Sequence, residues 1–373
     1  MLRLIAVAGL LSLLLPSRLL AAPPVVIPVV SPFPGSQSYY GAGARNGALL
    51  RADEINANGG IDGRPLKILF RDDGGDARGA ALVAAEIARD PENSVVVGHL
   101  DAASTRAALP IYRQARLVLI TPVASDPVVI RSSPYLFCSA YRVDSQGDFL
   151  ARYARKVRKV STVAVFCENR DYALALERAF AETAGGLGLQ LVDSQPFTMK
   201  TVDFTARLVR LKILRPELLL VIGRARQGAM LISQARLLGL DCDFLGSEGL
   251  DDGSLLRNPA AGGLCVITPF LVDRGRAMVR DFVERYRRKF ALEPDWLAAN
   301  TYDAVGLAAR AIARAGRDRE KIRTWLAALN TPEKACKGLT GAIWFDAAGT
   351  CLKPAFIKTV ADGRWASAEK QLQ

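Results

Sequence analysis

The chain has 373 residues, of which 50% are apolar and 7% aromatic, and its 49 basic and 37 acidic residues give a formal net charge of +12. This length and composition fit two packed globular domains and exclude a disordered or low-complexity protein. The basic residues are scattered along the sequence and are not clustered with aromatic residues, so the positive charge does not indicate a nucleic-acid partner.

The first 21 residues have the pattern of a secretory signal peptide. Residues 1–3 give a basic start, residues 4–15 are apolar but too few to span a bilayer, and small residues suited to cleavage follow at 19–22. We place the cleavage after Ala21, with an N-terminal membrane anchor as the alternative. The signal segment contains two arginines and no acid, so the mature chain carries 47 − 37, or +10. The sequence therefore predicts an exported protein.

Strands and helices are predicted to alternate along the mature chain. Because strands that alternate with helices of this length build parallel sheets with helices on both faces, two such blocks predict an α/β protein with two sheets. Three helices without strands between them then follow. The predicted strands are 25–30, 66–70, 95–97 and 118–120, then 163–166, 190–197, 218–222 and 243–245; the helices are 43–58, 77–89 and 104–114, then 172–185, 204–214 and 227–238, and finally 276–290, 296–315 and 319–329.

The passage at residues 53–73 combines a helix end, a turn and a strand. Gly59 and Gly60 tolerate the left-handed backbone that ends a helix, and Pro65 follows in the turn. The string Asn-Ala-Asn-Gly-Gly-Ile-Asp-Gly at residues 56–63 resembles the first helix-to-strand passage of the type I periplasmic substrate-binding proteins of branched-chain amino-acid (Leu/Ile/Val) ABC transporters. The strings at 98–105 and 244–250 resemble two further loops of that family.

The resemblance implies a two-lobed venus-flytrap fold, in which each lobe is a mostly parallel sheet flanked by helices and three hinge crossovers join the lobes. The matching crossover points lie near residues 140–144, 268–271 and 344–347. The N-terminal lobe would then take residues 22–143 and 270–345, and the C-terminal lobe residues 144–269 and 346–373.

Two loops of the N-terminal lobe follow strands and open helices, where parallel sheets bind ligands and where free helix N–H groups can hold a carboxylate. Ala102 stands where family members carry a hydroxyl, which leaves backbone N–H groups with Ser104 or Thr105 for a ligand carboxylate. Helix capping is the alternative role of these hydroxyls. In this lobe the resemblance implies ligand contacts at Tyr40, Ala102, Ala103, Ser104, Thr105, Val123, Ala124 and Ser125.

In the C-terminal lobe, Glu248 lies in a Gly-Ser-Glu-Gly string that resembles the loop whose glutamate accepts the ligand's α-ammonium. A surface-loop acid is the alternative. Tyr172, like Tyr40 in the other lobe, matches an aromatic residue that the family places against the ligand, although both tyrosines could be packing residues. Leu297 stands at a position that is usually aromatic in the family, so the pocket is expected to be reshaped there.

Arg224 aligns with a tyrosine of leucine-type binders. Its guanidinium could bind an acidic group of the ligand, or it could pair within the protein with Asp171, Glu168 or Glu248. Arg226 is the alternative position for the same role. The sequence leaves these possibilities open and does not name the ligand.

Six cysteines in an exported chain suggest disulfide bonds. Cys336 and Cys351 flank a predicted strand and turn and are the first candidate pair, and Cys242 with Cys265 is the second. Cys138 and Cys167, both in apolar strands, are either a third pair or buried thiols.

Enzyme functions find little support in the sequence. The glycines at 41, 43 and 47 do not keep the spacing of a dinucleotide fingerprint, and the one histidine, His99, is expected to be a packed residue. We predict no enzyme activity, no cofactor and no metal. The resemblance implies a monomeric periplasmic protein that captures an amino acid or a similar small carboxylate and delivers it to an inner-membrane ABC permease. A ligand-sensing receptor or regulator of the same fold, for an amide or an amino acid, is the alternative.

Overall fold

Strands and helices alternate from the start of the described chain. The computed structural model describes residues 23–33, 38–123, 126–273 and 276–372, so the predicted signal peptide and its cleavage site lie outside the described residues. The first block contains β1 (Val25–Ser31), α1 (Ser38–Ala57), β2 (Leu66–Asp72), α2 (Ala77–Arg89), β3 (Val95–Val97), α3 (Ala102–Gln114), β4 (Val118–Thr121), α4 (Pro127–Arg131) and β5 (Leu136–Tyr141).

The second block begins with α5 (Val143–Arg152) and a π-helical turn, Tyr153–Val157. It continues with β6 (Thr162–Glu168), α6 (Asp171–Gly186), β7 (Gln190–Phe197), α7 (Thr205–Leu214), β8 (Leu218–Ile222), α8 (Ala225–Leu237) and β9 (Asp243–Gly246). The 3₁₀ helices Glu248–Leu250, Gly253–Arg257 and Pro259–Ala261 precede β10 (Cys265–Thr268).

The last third of the chain is mostly helical. It contains α9 (Ala277–Phe290), α10 (Trp296–Ala315) and α11 (Arg319–Ala327), a 3₁₀ turn at Pro332–Lys334, the short strands β11 (Cys336–Gly338), β12 (Gly341–Ile343) and β13 (Thr350–Cys351), and the closing strands β14 (Phe356–Ala361) and β15 (Arg364–Ser367). Of the helices in the described ranges, none combines the length and the apolar character needed to cross a membrane.

The first sheet has six parallel strands in the order β13-β5-β4-β3-β1-β2. On one face, Ile27 and Val97 pack against α1, α10 and α11, and on the other, Val96 and Leu119 pack against α2, α3 and α4. Because both faces are covered, the central strands are uninterrupted runs of apolar residues, as parallel sheets require.

The second sheet has seven strands in the order β15-β14-β10-β9-β8-β6-β7. The strands from β10 to β7 are parallel, whereas β14 runs antiparallel to both β10 and β15. Helices α5 and α6 cover one face and α7 and α8 the other. The prediction of two mostly parallel sheets flanked by helices is confirmed.

One crossover differs from its predicted place. The sequence placed the third crossing at residues 344–347, but Thr350–Cys351 still pairs with β5 in the first sheet. The reason is a turn in which the side chain of Asp346 accepts hydrogen bonds from the N–H and the hydroxyl of Thr350, at 2.9 and 2.7 Å. This turn returns the chain to the first sheet, so the crossing lies between Cys351 and Phe356.

The helix end at residues 56–63 is as predicted. Gly59 and Gly60 have φ of +92° and +78°, and a Cβ on Gly60 would lie 2.1 Å from the carbonyl oxygen of Arg64. Asn56 has a role that the sequence did not indicate: its side chain accepts from Leu66 N at 2.6 Å and donates to Leu66 O at 2.9 Å. The amide of Asn56 therefore ties the end of α1 to the start of β2.

The glycines that resemble a dinucleotide fingerprint lie inside α1 and have a packing role. A Cβ on Gly47 would lie 2.1 Å from the carbonyl oxygen of Ala298, and a Cβ on Gly43 would lie 2.7 Å from the carboxylate oxygens of Asp295. These glycines allow α1 to approach the start of α10 closely. They form no loop between a strand and a helix, which a dinucleotide site requires.

All six cysteines lie in the described chain and are free thiols, so the structure shows neither predicted disulfide. Cys242 and Cys265 pack into clusters on opposite faces of the second sheet. Cys336 lies in the β11–β12 hairpin, whereas Cys351 is buried on β13 with its Sγ 3.8 Å from the carbonyl oxygen of Ala342. Cys138, on the first sheet, is a buried thiol, and burial raises its pKa to about 12.

Candidate functional site

The carboxyl ends of strands from both sheets face one cavity of about 300 Å³. The first sheet and its helices contribute Pro32, Leu100, Asp101, Ala102, Ala103, Val123, Asp126 and Trp296. The loops that follow β6, β8 and β9 contribute Glu168, Arg170, Asp171, Tyr172, Ala173, Gly223, Arg224, Glu248 and Gly249. A cavity at this place is where parallel sheets ordinarily bind ligands.

The start of α3 forms one wall of the cavity. Asp101 caps this helix, and its carboxylate accepts from Ser104 N at 2.8 Å and from Ser104 Oγ at 2.7 Å. The hydroxyl of Thr105 donates to the carbonyl oxygen of Asp101 at 2.7 Å. Both hydroxyls are therefore used in capping the helix. Ala102 and Ala103 line the cavity at the first turn, where the backbone N–H groups have no partner within the helix.

A buried polar cluster holds the loop before α3. Gly98 has φ of +139°, and a Cβ there would lie 2.4 Å from the carbonyl oxygen of Val30, so the chain can pass β1 this closely only with glycine. His99 is fully buried, with Nδ1 2.7 Å from Asp73 Oδ2 and Nε2 3.3 Å from the hydroxyl of Tyr112. His99 thus packs behind the loop, as expected, and does not line the cavity.

Glu248 is a buried acid on the opposite wall, only 6% exposed. Its pKa is raised to about 7, mainly by burial and also by the neighbouring Asp251, while the nearby Tyr141 and Tyr172 hydroxyls lower it in part. Its Oε2 has no hydrogen-bond partner among the described residues. The hydroxyl of Tyr172 donates to Gln146 Oε1 at 2.6 Å, which fixes the ring beside the cavity. The wall therefore contains a buried carboxylate oxygen with unused acceptor capacity.

Close backbone packing fixes the position of the Glu248 loop. A Cβ on Gly249 would lie 2.3 Å from the carbonyl oxygen of Gly223, in the loop after β8. The side chain of Ser247 joins the same two loops, because its Oγ accepts from Gly223 N at 3.2 Å. The loops that follow β8 and β9 are therefore fixed relative to each other.

Arg224 and Arg170 face the same buried carboxylate. Glu168, the last residue of β6, is 2% exposed, and its Oε1 lies 3.8 Å from both Arg224 Nε and Arg170 Nη1. Arg224 Nη1 lies 2.6 Å from the sulfur of Met199. Of the three acidic partners that the sequence left open for Arg224, Glu168 forms an ion pair with it in the structure.

Six of the predicted contact residues line the cavity together: Ala102, Ala103, Val123, Tyr172, Arg224 and Glu248. Three others in the described chain do not line it: Ser104, Thr105 and Leu297. Leu297 is fully buried in a cluster that contains Phe282, and its neighbour Trp296 lines the cavity in its place. The side chain of Tyr40, and Ala124 and Ser125, lie outside the described residues. Ligand contact at all of these positions stays a prediction.

The sequence missed several charged lining residues, above all Glu168 and Arg170, which directly follow the core of β6. Charged residues at the carboxyl end of an apolar strand were the available signal, because ligands bind at that edge of a parallel sheet. Within the described ranges, no group of three or more His, Cys, Asp or Glu side chains is placed to hold a metal ion.

Two parallel α/β sheets whose strand ends enclose a charged cavity define the class of two-lobed small-molecule binding proteins. The sequence matches the periplasmic binding protein family over residues 24–364. The chain therefore belongs to this family, and the predicted resemblance is confirmed.

Relatives in sequence and in structure agree with this assignment. The chain is 27% identical to the leucine-, isoleucine-, valine-, threonine- and alanine-binding protein of Pseudomonas aeruginosa over 339 residues, 88% of each chain. It is 30% identical to the Leu/Ile/Val-binding protein of Escherichia coli K12, over 69% of this chain and 71% of that one. The structure of the branched-chain amino acid transporter substrate-binding protein LivJ from Streptococcus pneumoniae, in complex with isoleucine, matches with a TM-score of 0.86 and 28% identity, over 94% of this chain and all of that one.

Proposed function

We propose that this protein is the periplasmic substrate-binding component of an ABC uptake transporter and that it captures an amino acid or a related small carboxylate between its two lobes. The observation that carries the proposal is Glu248, a buried cavity carboxylate whose Oε2 has no hydrogen-bond partner among the residues that the structure describes. Such a group is suited to ligand binding, because a buried acceptor without a partner is costly and that cost is relieved by a ligand that donates to it.

An ammonium group is the partner that best suits Glu248. Burial holds the pKa of this carboxyl near 7, so the charged form is costly in the free protein. A ligand ammonium would supply an opposite charge and N–H donors in the same enclosed place, where charge-assisted hydrogen bonds are strong. The hydroxyl of Tyr172 lies beside this position and would limit the orientation of the ligand.

A carboxylate on the same ligand would reach the first turn of α3. The helix start provides the N–H groups of Ala102 and Ala103 and the positive end of the helix dipole. The carboxylate of Asp101 already caps this helix start and offsets part of its positive charge. A ligand carboxylate would therefore depend mainly on hydrogen bonds from the backbone N–H groups of Ala102 and Ala103. An amino acid carries both required groups on one carbon atom.

The binding step would be a closure of the two lobes. The first sheet, with the chain up to Tyr141 and from α9 to Cys351, would form one lobe, and the second sheet would form the other. A ligand held at α3 would be covered when Glu248 and Arg224 approach it, and the closed form would be the one presented to a membrane permease. In the periplasm, delivery of the released ligand would then depend on that permease.

Calorimetric titration tests this proposal. The protein is freed of bound ligand by unfolding and refolding and is then titrated with the twenty L-amino acids and with benzoate, a carboxylate without an ammonium group. At least one amino acid should bind, and Glu248→Gln should weaken that binding by at least about 100-fold, the effect of losing one partner of a buried charge pair.

The control is Glu182→Gln, a change of the same type at an exposed position of α6. This variant should bind as the wild type does. Equal affinity in the wild type and in Glu248→Gln would contradict the role of Glu248, and no binding of any amino acid or of benzoate would contradict the proposal as a whole.

A further inference from the structure

A second buried carboxylate oxygen in the cavity wall has no hydrogen-bond partner within the described ranges of the chain. Glu168 is 2% exposed, and its Oε1 accepts no hydrogen bond from the described residues. Its two nearest cations, Arg170 Nη1 and Arg224 Nε, are each 3.8 Å away, beyond hydrogen-bond distance. A buried acceptor in this state is costly. Glu168 lines the cavity while its Oε1 is buried, so a ligand would satisfy this oxygen once the side chain turns it toward the cavity.

Glu168 and Glu248 are separated along the edge of one sheet. Glu168 ends β6, Arg224 follows β8 and Glu248 follows β9, and β6, β8 and β9 are successive neighbours in the second sheet. The strands that carry the two glutamates are two strand spacings apart, roughly 10 Å. A ligand whose α-ammonium binds Glu248 could therefore meet Glu168 only through the end of its side chain.

The charges around Glu168 indicate what kind of side chain fits. One carboxylate faces two guanidinium groups, so a ligand cation beside Glu168 would meet the two arginines, and a ligand carboxylate beside the arginines would meet the unpaired Oε1 of Glu168. Both placements bring like charges together; the two arginines make the conflict greater for a ligand cation, whereas a ligand carboxylate conflicts with Glu168 alone. A neutral group that carries a hydrogen-bond donor and an acceptor side by side avoids both conflicts.

We propose, on the basis of the proposed function, that Glu168 and Arg224 determine specificity and that together they bind a terminal carboxamide of the ligand. The amide NH₂ donates to Glu168 Oε1, and the amide oxygen accepts from the guanidinium of Arg224. The cavity then takes an amino acid with an amide side chain, of the glutamine or asparagine type.

The pair glutamine and glutamate gives the sharpest test, because the two have nearly the same shape and differ in the side-chain group alone. In calorimetric titrations of ligand-free protein at pH 8, glutamine or asparagine should bind more tightly than its acid counterpart by about 10- to 150-fold, the value of a hydrogen bond to a charged group. Glu168→Gln should reduce this ratio at least tenfold, because an amide at position 168 can also donate to a ligand carboxylate. Glu182→Gln should leave the ratio unchanged.

Each alternative result is decisive. If glutamate, leucine or lysine binds the wild type more tightly than both amides, the inference about Glu168 is overturned while the proposed amino-acid binding stands. If the amides bind best but Glu168→Gln leaves the ratio unchanged, the role of Glu168 is overturned. If no amino acid binds, the inference about Glu168 fails, and if benzoate does not bind either, the proposed function fails as well. The wild-type ratio decides the ligand class even if the variant does not fold.

Discussion

Replacing Glu248 by glutamine should stabilise the ligand-free protein at alkaline pH. The pKa of Glu248 is about 7 in the folded protein, against 4.5 for an ordinary glutamate. The folded state therefore binds the proton more tightly than the unfolded state does, and stability is lost as the pH rises from about 4.5 to 7. The difference of 7 − 4.5, at 1.36 kcal/mol per pKa unit, makes this loss about 3 kcal/mol. Glu248→Gln removes the charge and should therefore restore up to this much of the free energy of unfolding at alkaline pH.

Urea unfolding of ligand-free protein at pH 5 and pH 8 measures the effect. The free energy of unfolding of Glu248→Gln should exceed that of the wild type by up to about 3 kcal/mol at pH 8 and by much less at pH 5, where the folded wild type keeps its proton. Glu182→Gln should show no such pH-dependent difference. An equal difference at both pH values, or a variant that is less stable at pH 8, would refute the reasoning about burial.

Three further predictions concern the walls of the cavity. Affinity for an amino acid should fall roughly tenfold between pH 8 and pH 6, because Glu248, with its pKa of about 7, must lose its proton to accept an ammonium; a calorimetric profile that is flat over this range would contradict that role. Gly249→Ala should lower the free energy of unfolding by about 1–3 kcal/mol and weaken ligand binding, because its Cβ would lie 2.3 Å from a backbone oxygen. Gly253 has open space around it, so Gly253→Ala should change neither the free energy of unfolding in urea nor the calorimetric affinity. Asp101→Ala and Asp318→Ala each remove a helix N-cap and should each cost about 1 kcal/mol in urea unfolding, but Asp101→Ala alone should change ligand affinity, because Asp318 lies outside the cavity lining.

Local signals accounted for much of the fold. Apolar runs predicted β3 and β8 to the residue, and the glycine pair at 59 and 60 predicted the end of α1 nearly to the residue, because backbone conformation and strand burial act over a few positions. The final strands β14 and β15 were missed, since β14 alternates polar and apolar residues only weakly and depends on pairing with β10, a long-range contact.

The site was predicted less completely, because its residues depend on side-chain direction. Ser104 and Thr105 follow the right strand, but their hydroxyls bond to Asp101 within the helix start. Leu297 is one helical position from Trp296, and that step turns one side chain into the core and the other toward the cavity. No spacing rule in the sequence distinguishes these outcomes.

The pairing of the cysteines could not be derived from the sequence for a related reason. Spacing along the chain and an even count of cysteines say nothing about which face of a sheet each thiol occupies. Cys242 and Cys265 are only 23 positions apart, 265 − 242, yet they pack on opposite faces of the second sheet. Partners that lie on opposite faces of a sheet cannot meet without backbone movement.

A crystal structure of the protein with the amino acid that binds most tightly in calorimetry tests the central claim most directly. The account predicts the ligand in the cavity between the sheets, with its ammonium nitrogen about 2.7–3.2 Å from a carboxylate oxygen of Glu248 and its carboxylate on the first turn of α3. A ligand bound elsewhere, or one whose ammonium group makes no contact with Glu248, would contradict it.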